Sequence, residues 1–176
     1  KDANVILSID GVNNRVGIGT ASPNCQVHIA KDAGDAALCI IGNSNTATHT
    51  GLLSLAKSRG SETEKTVVVA DDELGVISFQ GYDGSNYEGG AEIKCLVESG
   101  VGSDDMPGAL VFKTNAGSQA TTEIMRITGG TGRVGISHTV PEARLHSHLA
   151  DGDGDALYSG KFSNADADNP RGININ

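Results

Sequence analysis

Arg15-Val-Gly-Ile-Gly-Thr-Ala-Ser-Pro23 and Arg133-Val-Gly-Ile-Ser-His-Thr-Val-Pro141 are two copies of one motif, and their reading decides the fold. In each, Val and Ile flank a glycine, and β-branched residues favour an extended backbone. The copies stand 118 positions apart, from Arg15 to Arg133. At that offset Pro23 matches Pro141, Val27 matches Leu145 and His28 matches His146. After a one-residue slip Asp32 matches Asp151, and Ala37-Leu38 matches Ala156-Leu157. Such a repeat marks a modular chain. It divides the sequence into a first motif segment (residues 1–38), a central module (39–128) and a second motif segment (129–176). The last is expected to continue into further chain, because Gly172-Ile-Asn-Ile-Asn176 ends in a strand-like run. The second copy loses the Gly-Thr pair at Ser137-His138, which leaves room for a different turn.

Outward from the motif the chain reads strand after strand. Strands are predicted at residues 5–9, 15–18, 26–30, 52–56, 66–70, 76–80, 91–97, 109–114 and 122–128. Several alternate with period two: Ile77 and Phe79 oppose Val76, Ser78 and Gln80, and Ile93, Cys95 and Val97 oppose Lys94 and Leu96. Asp10-Gly11, Asp83-Gly84, Gly89-Gly90, Pro107-Gly108 and Gly129-Gly-Thr-Gly132 supply turns between them. Helix is expected only as short turns after Ser22-Pro23 and Val140-Pro141, where proline suits a first helical position. The fold class is all-β.

Twenty-four glycines are about twice the ~7% average share and show no collagen period, which fits many tight turns. Three Tyr, three Phe and no Trp leave few large side chains for a core, so burial must come from Val, Ile, Leu and Ala shared between chains. A net charge of −9 argues against nucleic acid as partner, since Lys57-Ser-Arg59 is the densest basic run. No apolar stretch approaches the ~20 residues of a membrane-spanning helix, so membrane insertion is not expected. Cys25, Cys39 and Cys95 lack disulfide or zinc spacing and read as reduced core residues.

The motif Val16-Gly-Ile-Gly-Thr-Ala-Ser-Pro23, followed by Val27-His-Ile29, resembles the repeat of bacteriophage tail fibres and related virion surface fibres. The second copy keeps Arg133–Ile136, Pro141 and Leu145-His146. The central stretches Leu55-Ala-Lys-Ser-Arg-Gly60, Glu73–Gly84, Pro107–Lys113 and Thr122–Ile127 are similar to another module of such fibres. The resemblance implies a parallel homotrimer with interleaved strands, a β-helix or β-prism-like shaft with a central β knob. It also implies a place in the virion tail fibre and a structural role in host attachment. Partners would be other copies of the chain, neighbouring fibre or tail proteins, and a host-surface glycan or protein.

Candidate chemistry is sparse. Tyr82, Asp83, Asn86 and Tyr87 form a Gly-flanked loop with two aromatics and polar acceptors, able to stack on and hydrogen-bond a sugar; a turn packed on a neighbouring chain is the preferred alternative. His146 and His148 lie on one strand face, and in a trimer six imidazoles would surround an axial transition metal. The repeat alone accounts for His146, so no cofactor is expected. Asp151-Gly-Asp-Gly-Asp155 opens like a calcium loop but lacks its later Gly and Glu, and reads as an acidic turn. Asp71-Asp72-Glu73 and Asp104-Asp105 read as solvated turn acids, and no nucleophile or metalloprotease motif is present. The expected function is therefore a non-enzymatic fibre segment. A receptor-binding knob comes second, and a polysaccharide depolymerase stalk third.

Overall fold

The computed structural model describes residues 6–117 and 120–147, and every regular element among them is a strand. The all-β expectation therefore holds. The chain divides between Ser54 and Leu55 into two compact units, each built around one copy of the motif.

In the first unit, β1 (Leu7–Asp10) and β2 (Arg15–Ile18) form a hairpin with Leu7 opposite Ile18 and Asp10 opposite Arg15. Its turn is fixed by the Asp10 carboxylate, which accepts the amides of Val12 and Asn13 at 3.1 Å, and by Asn14 in the left-handed region (φ 55°). β3 (Val27–Ile29) then pairs with β2 in parallel, Val16 beside Val27. Parallel neighbours commonly need a crossover of about a dozen residues or more. Residues 19–26 suffice here because the strands are short and the loop is pulled tight against them. The Arg15 guanidinium donates to the Pro23 carbonyl at 3.0 Å, the Val16 amide donates to the Gln26 carbonyl at 2.8 Å, and the loop passes under the buried Gly17. A Cβ at Gly17 would collide with the Thr20 carbonyl oxygen. This accounts for the motif: arginine clamps the loop, glycine lets it approach, and Val and Ile pair on either side.

The second unit holds a small hairpin, β4 (Arg59–Gly60) with β5 (Lys65–Thr66), and a six-stranded sheet. The sheet contains β6 (Glu73–Tyr82), β7 (Tyr87–Val97), β8 (Gly108–Thr114), β9 (Thr122–Ile127), β10 (Val134–Ile136) and β11 (Leu145–Ser147), with neighbours in chain order. β6 to β10 run antiparallel, and β11 joins β10 in parallel. The second motif thus continues the central sheet across Gly129–Gly132. Two amides of that link, Gly129 and Gly130, both donate to the Glu98 carboxylate at 3.0 Å.

The second copy reproduces the first contact by contact. Arg133 donates to the Pro141 carbonyl at 2.9 Å, the Val134 amide to the Arg144 carbonyl at 2.8 Å, and Gly135 is buried against the His138 carbonyl. The turn does not change with the lost Gly-Thr pair. Ser137 (φ 53°) takes the left-handed conformation of Gly19 (φ 75°), and Gly132 (φ 60°) that of Asn14. The ladder and the arginine clamp dictate the backbone there, and Ser bears about 1–2 kcal/mol for adopting it. The helical turns expected after Pro23 and Pro141 do not form: both prolines are buried in bends, because their carbonyls are held by the arginines.

Three other expectations are corrected. Residues 52–56 and 67–70 join no strand ladder among the described residues, although their side chains are those of strands. Cys25 and Cys39 are exposed and Cys95 is half-buried, so the cysteines are not core residues of the single chain. Cys25 and Cys39 fall in loop and extended segments that nothing among the described residues covers.

Asp72 is buried rather than solvated. Its carboxylate accepts Arg59 Nε at 2.7 Å, Lys57 Nζ at 3.0 Å and the Val69 amide at 2.9 Å, tying residues 57–59 to the start of β6. The Arg59 hydrogen bond, then the Val69 amide and Lys57, hold this carboxyl far below the ordinary carboxylate range. A depressed folded-state value stabilises the fold above the unfolded value of about 3.9, and the stabilisation disappears as pH falls through the folded value. Asp72→Asn is therefore expected to lower Tm at pH 7 by about 5 °C, kept moderate by solvent screening of the half-exposed Lys57 and Arg59. The difference from the parent should narrow as pH drops below about 4, which thermal melts across pH will check.

Candidate functional site

The six-stranded sheet has one charged and one apolar face, set by strand alternation and register. Across one face run Val76, Lys94, Val111, Arg126, Gly135 and His146, and beside them Ser78, Glu92, Lys113 and Glu123. Across the other run Ile77, Ile93, Phe112, Met125 and Ile136, and beside them Cys95, Leu110, Ile127, Val134 and Leu145.

The charged face is the covered one. Ala109 and Val111 are each only 1% exposed, under the stems of the long charged side chains. Lys94 bonds Glu73 at 2.6 Å and lies 3.3 Å from Glu92, while Arg126 is doubly held by Glu123 at 2.6 and 2.8 Å. The Glu73 hydrogen bond raises the Lys94 pKa and the Glu123 hydrogen bond that of Arg126, so both stay cationic. The apolar face is covered at one end, where Leu55 packs over Gly75 and Val97 is buried, and open elsewhere: Phe79 is 53%, Ile77 45% and Leu145 55% exposed, with Leu110, Ile127 and Ile136 also open to solvent. In water this arrangement is inside out. A half-buried antiparallel sheet ordinarily turns its apolar face inward, and here that face is the more exposed of the two.

At the far end of β6 and β7, Tyr82 and Tyr87 are paired across the hairpin, rings 5.5 Å apart and tilted by 59°, both well exposed. Asp83 is used within the turn: its carboxylate accepts the Ser85 amide at 2.7 Å and the Asn86 amide at 2.8 Å. Those amides, Asn86 first, hold its carboxyl below the ordinary range. Asp83 and Asn86 thus shape the tip, with Gly84 at φ 107°, and the two tyrosines are what it presents.

His146 Nδ1 accepts the Glu142 amide at 3.3 Å, as His28 Nδ1 accepts Asn24 at 3.5 Å, and its ring stacks on His138 at 4.0 Å. The histidine of the motif is a loop acceptor, and a metal would have to take Nε2. His148 and the Asp151–Asp155 run lie outside the described residues. Among the described residues no three His, Cys, Asp or Glu side chains converge as a metal site.

The sequence read Tyr82–Tyr87 as a loop, whereas both tyrosines lie in strands and pair across the β6–β7 hairpin, and it missed the Asp72 clasp. A signal existed in the Lys57-Ser-Arg59 run, two cations two positions apart that call for an anion. The inside-out sheet was half legible: alternation showed two faces but not which one is covered. Comparison with known proteins found no matching family model and no matching curated protein.

Proposed function

We propose that the chain is a structural segment of a viral tail fibre, assembling as a parallel homotrimer that spaces and orients receptor-binding elements. The observation that carries this reading is the open apolar face of the six-stranded sheet. Three copies turning those faces to a common axis form a β-prism whose core is Ile, Leu, Val, Met and Phe from three chains. Their charged faces then point to solvent, where the Glu–Lys and Glu–Arg pairs belong. Cyclic symmetry closes such a ring and ends its growth, and the count of three is what the fibre resemblance implies. The role is mechanical rather than catalytic: each chain supplies one wall of a shared core. The arginine-clamped motif, repeated in both units, supports it as a unit for extending a shaft.

Light scattering of the purified chain is expected to give three times the single-chain mass at micromolar concentration. A stable, well-dispersed single chain would overturn the proposal.

The tip formed by Tyr82 and Tyr87 favours a second reading, a glycan-binding knob on the same fibre, because two exposed rings at a hairpin end suit sugar stacking. Glycan-array binding that disappears in Tyr87→Ala, with the mass unchanged, would select it.

A further inference from the structure

We infer that the outer edge of β1 is a docking ladder for a strand of the kind of β8, supplied by a further copy of the central module standing before β1 in chain order. The inference goes beyond the homotrimer reading and does not depend on the number of copies.

The offset of 118 positions that relates the two motifs extends back through β1. Ile6, Leu7 and Ile9 fall on Ile124, Met125 and Ile127. The ladders agree with the sequence. β1 meets β2 with Leu7 opposite Ile18, Ser8 opposite Gly17 and Ile9 opposite Val16. β9 meets β10 with Met125 opposite Ile136, Arg126 opposite Gly135 and Ile127 opposite Val134. β3 and β11 then join in the same parallel register, Val27 beside Val16 and Leu145 beside Val134. β1 is therefore the counterpart of β9. The first unit holds the closing three strands of a sheet like that of the second.

The counterparts differ in what lies on their other side. β9 has β8 there, with Leu110 opposite Ile127, Val111 opposite Arg126 and Phe112 opposite Met125. Among the described residues β1 has no strand there. Exposure follows the difference. Ile127 is 36% exposed beside β8, whereas Ile9 is 76% exposed. Met125 is half-buried, whereas Leu7 is 60% exposed. A bare edge with unpaired backbone groups is a template for another strand. Register on it is fixed, because a slip of one residue would turn the incoming apolar side chains away from Leu7 and Ile9.

The pairing of β8 with β9 specifies the occupant. It runs antiparallel to β1 and sets apolar side chains opposite Ile9 and Leu7, as Leu110 and Phe112 stand opposite Ile127 and Met125. The chain's own β8 cannot serve, because β7 and β9 hold both its edges. A second module of the same kind can. The repeating unit then runs from one closing strand to the next, and each motif completes the sheet of the module before it.

Two experiments test this. In the first, residues 122–128 of the full chain are replaced by the sequence of residues 4–10, which puts β1 in the place of β9. Hydrogen–deuterium exchange at Leu110–Lys113 is expected to stay within about tenfold of the parent. Replacement by residues 5–11 instead turns the alternation over, and should speed that exchange by about 100-fold. The same exchange in both replacements would overturn the equivalence of β1 and β9. In the second, residues 55–121 are added ahead of Asn4 in the full chain, so that an added β8 leads into β1. The amides of residues 7–9 that point away from β2 are expected to exchange about 100-fold more slowly than in the parent. Unchanged exchange there, or an added module without protection of its own, would overturn the inference. So would protection of those amides already in the parent, since another copy would then hold the edge. Light scattering of the same samples separates the two readings. Protection of β1 in a single chain keeps this inference and removes the homotrimer, and a trimer without that protection does the reverse.

Discussion

Replacing Ile77 with aspartate is expected to reduce the proposed homotrimer to single chains at micromolar concentration, while the same replacement at Val76 leaves it whole. The two residues are adjacent in β6 and similarly exposed in the single chain, 45% and 39%, but lie on opposite faces of the sheet. As surface substitutions in a single chain, both would fall within about 0.5 kcal/mol of neutral. In the proposed trimer they separate. Asp at 76 sits opposite Lys94 on the charged face and gains a partner. Asp at 77 places a carboxylate from each copy in the shared apolar core. Removing an unpaired carboxylate from water costs several kcal/mol even after relaxation, and three copies bear it together. The apolar burial lost at a half-exposed Ile is smaller, about 1 kcal/mol per copy, so desolvation decides the outcome. The dissociation constant should rise more than about 1,000-fold. A carboxyl in that position titrates upward, because burial disfavours its charged form. Lowering pH from 7 to about 5 should therefore recover part of the trimer in Ile77→Asp but not in Ile77→Asn. Equal masses for the Ile77→Asp and Val76→Asp variants would remove the apolar face as the interface.

How much of this was legible in the sequence depends on where each residue's partner lies. β6 to β9 were readable because alternation and Gly-rich turns are local, and their partners follow directly in the chain. The pairing of β10 with β11 in parallel was not, since Pro141 also suits a helix start and only the Arg133 clamp excludes one. Left-handed positions were invisible for a related reason: Ser137 and Asn14 differ in type from Gly19 and Gly132, and the ladder imposes the conformation that the residue alone would not choose.

Residues 52–56 make the opposite case. Their side chains specify a strand, yet among the described residues they join no ladder. Cys25 and Cys39 were misplaced because a free cysteine in a strand-like run was read as a core residue, whereas both are exposed. Asp72 was misread because a run of three acids in a turn is usually solvated, whereas two cations more than a dozen positions upstream fold back onto it.

Gly135→Ala is expected to destabilise the second motif by about 2–4 kcal/mol and lower Tm by roughly 5–15 °C, where most glycine-to-alanine changes in a strand do the reverse. Alanine restricts the unfolded chain, so at a site with room it stabilises by about 0.4–1 kcal/mol. Gly81, in β6, is such a site, with open space where a Cβ would stand. At Gly135 the Cβ meets the His138 carbonyl oxygen, which is backbone and cannot swing aside as a side chain would. Moving it shifts the loop that Arg133 holds through the Pro141 carbonyl, and with it the parallel register of Val134 on Leu145. Gly17 stands in the same relation to the Thr20 carbonyl, so Gly17→Ala should fail in the same direction within the first unit. The measurement is thermal unfolding of the three variants side by side, with Gly81→Ala rising slightly while Gly17→Ala and Gly135→Ala fall. If Gly135→Ala also rose, the loop would not run beneath the strand, and the glycine of the Arg-Val-Gly-Ile motif would need another explanation. The sign is decisive because the two physical effects oppose each other. Steric contact with a fixed carbonyl outweighs the entropy of the unfolded chain only if the close approach is real.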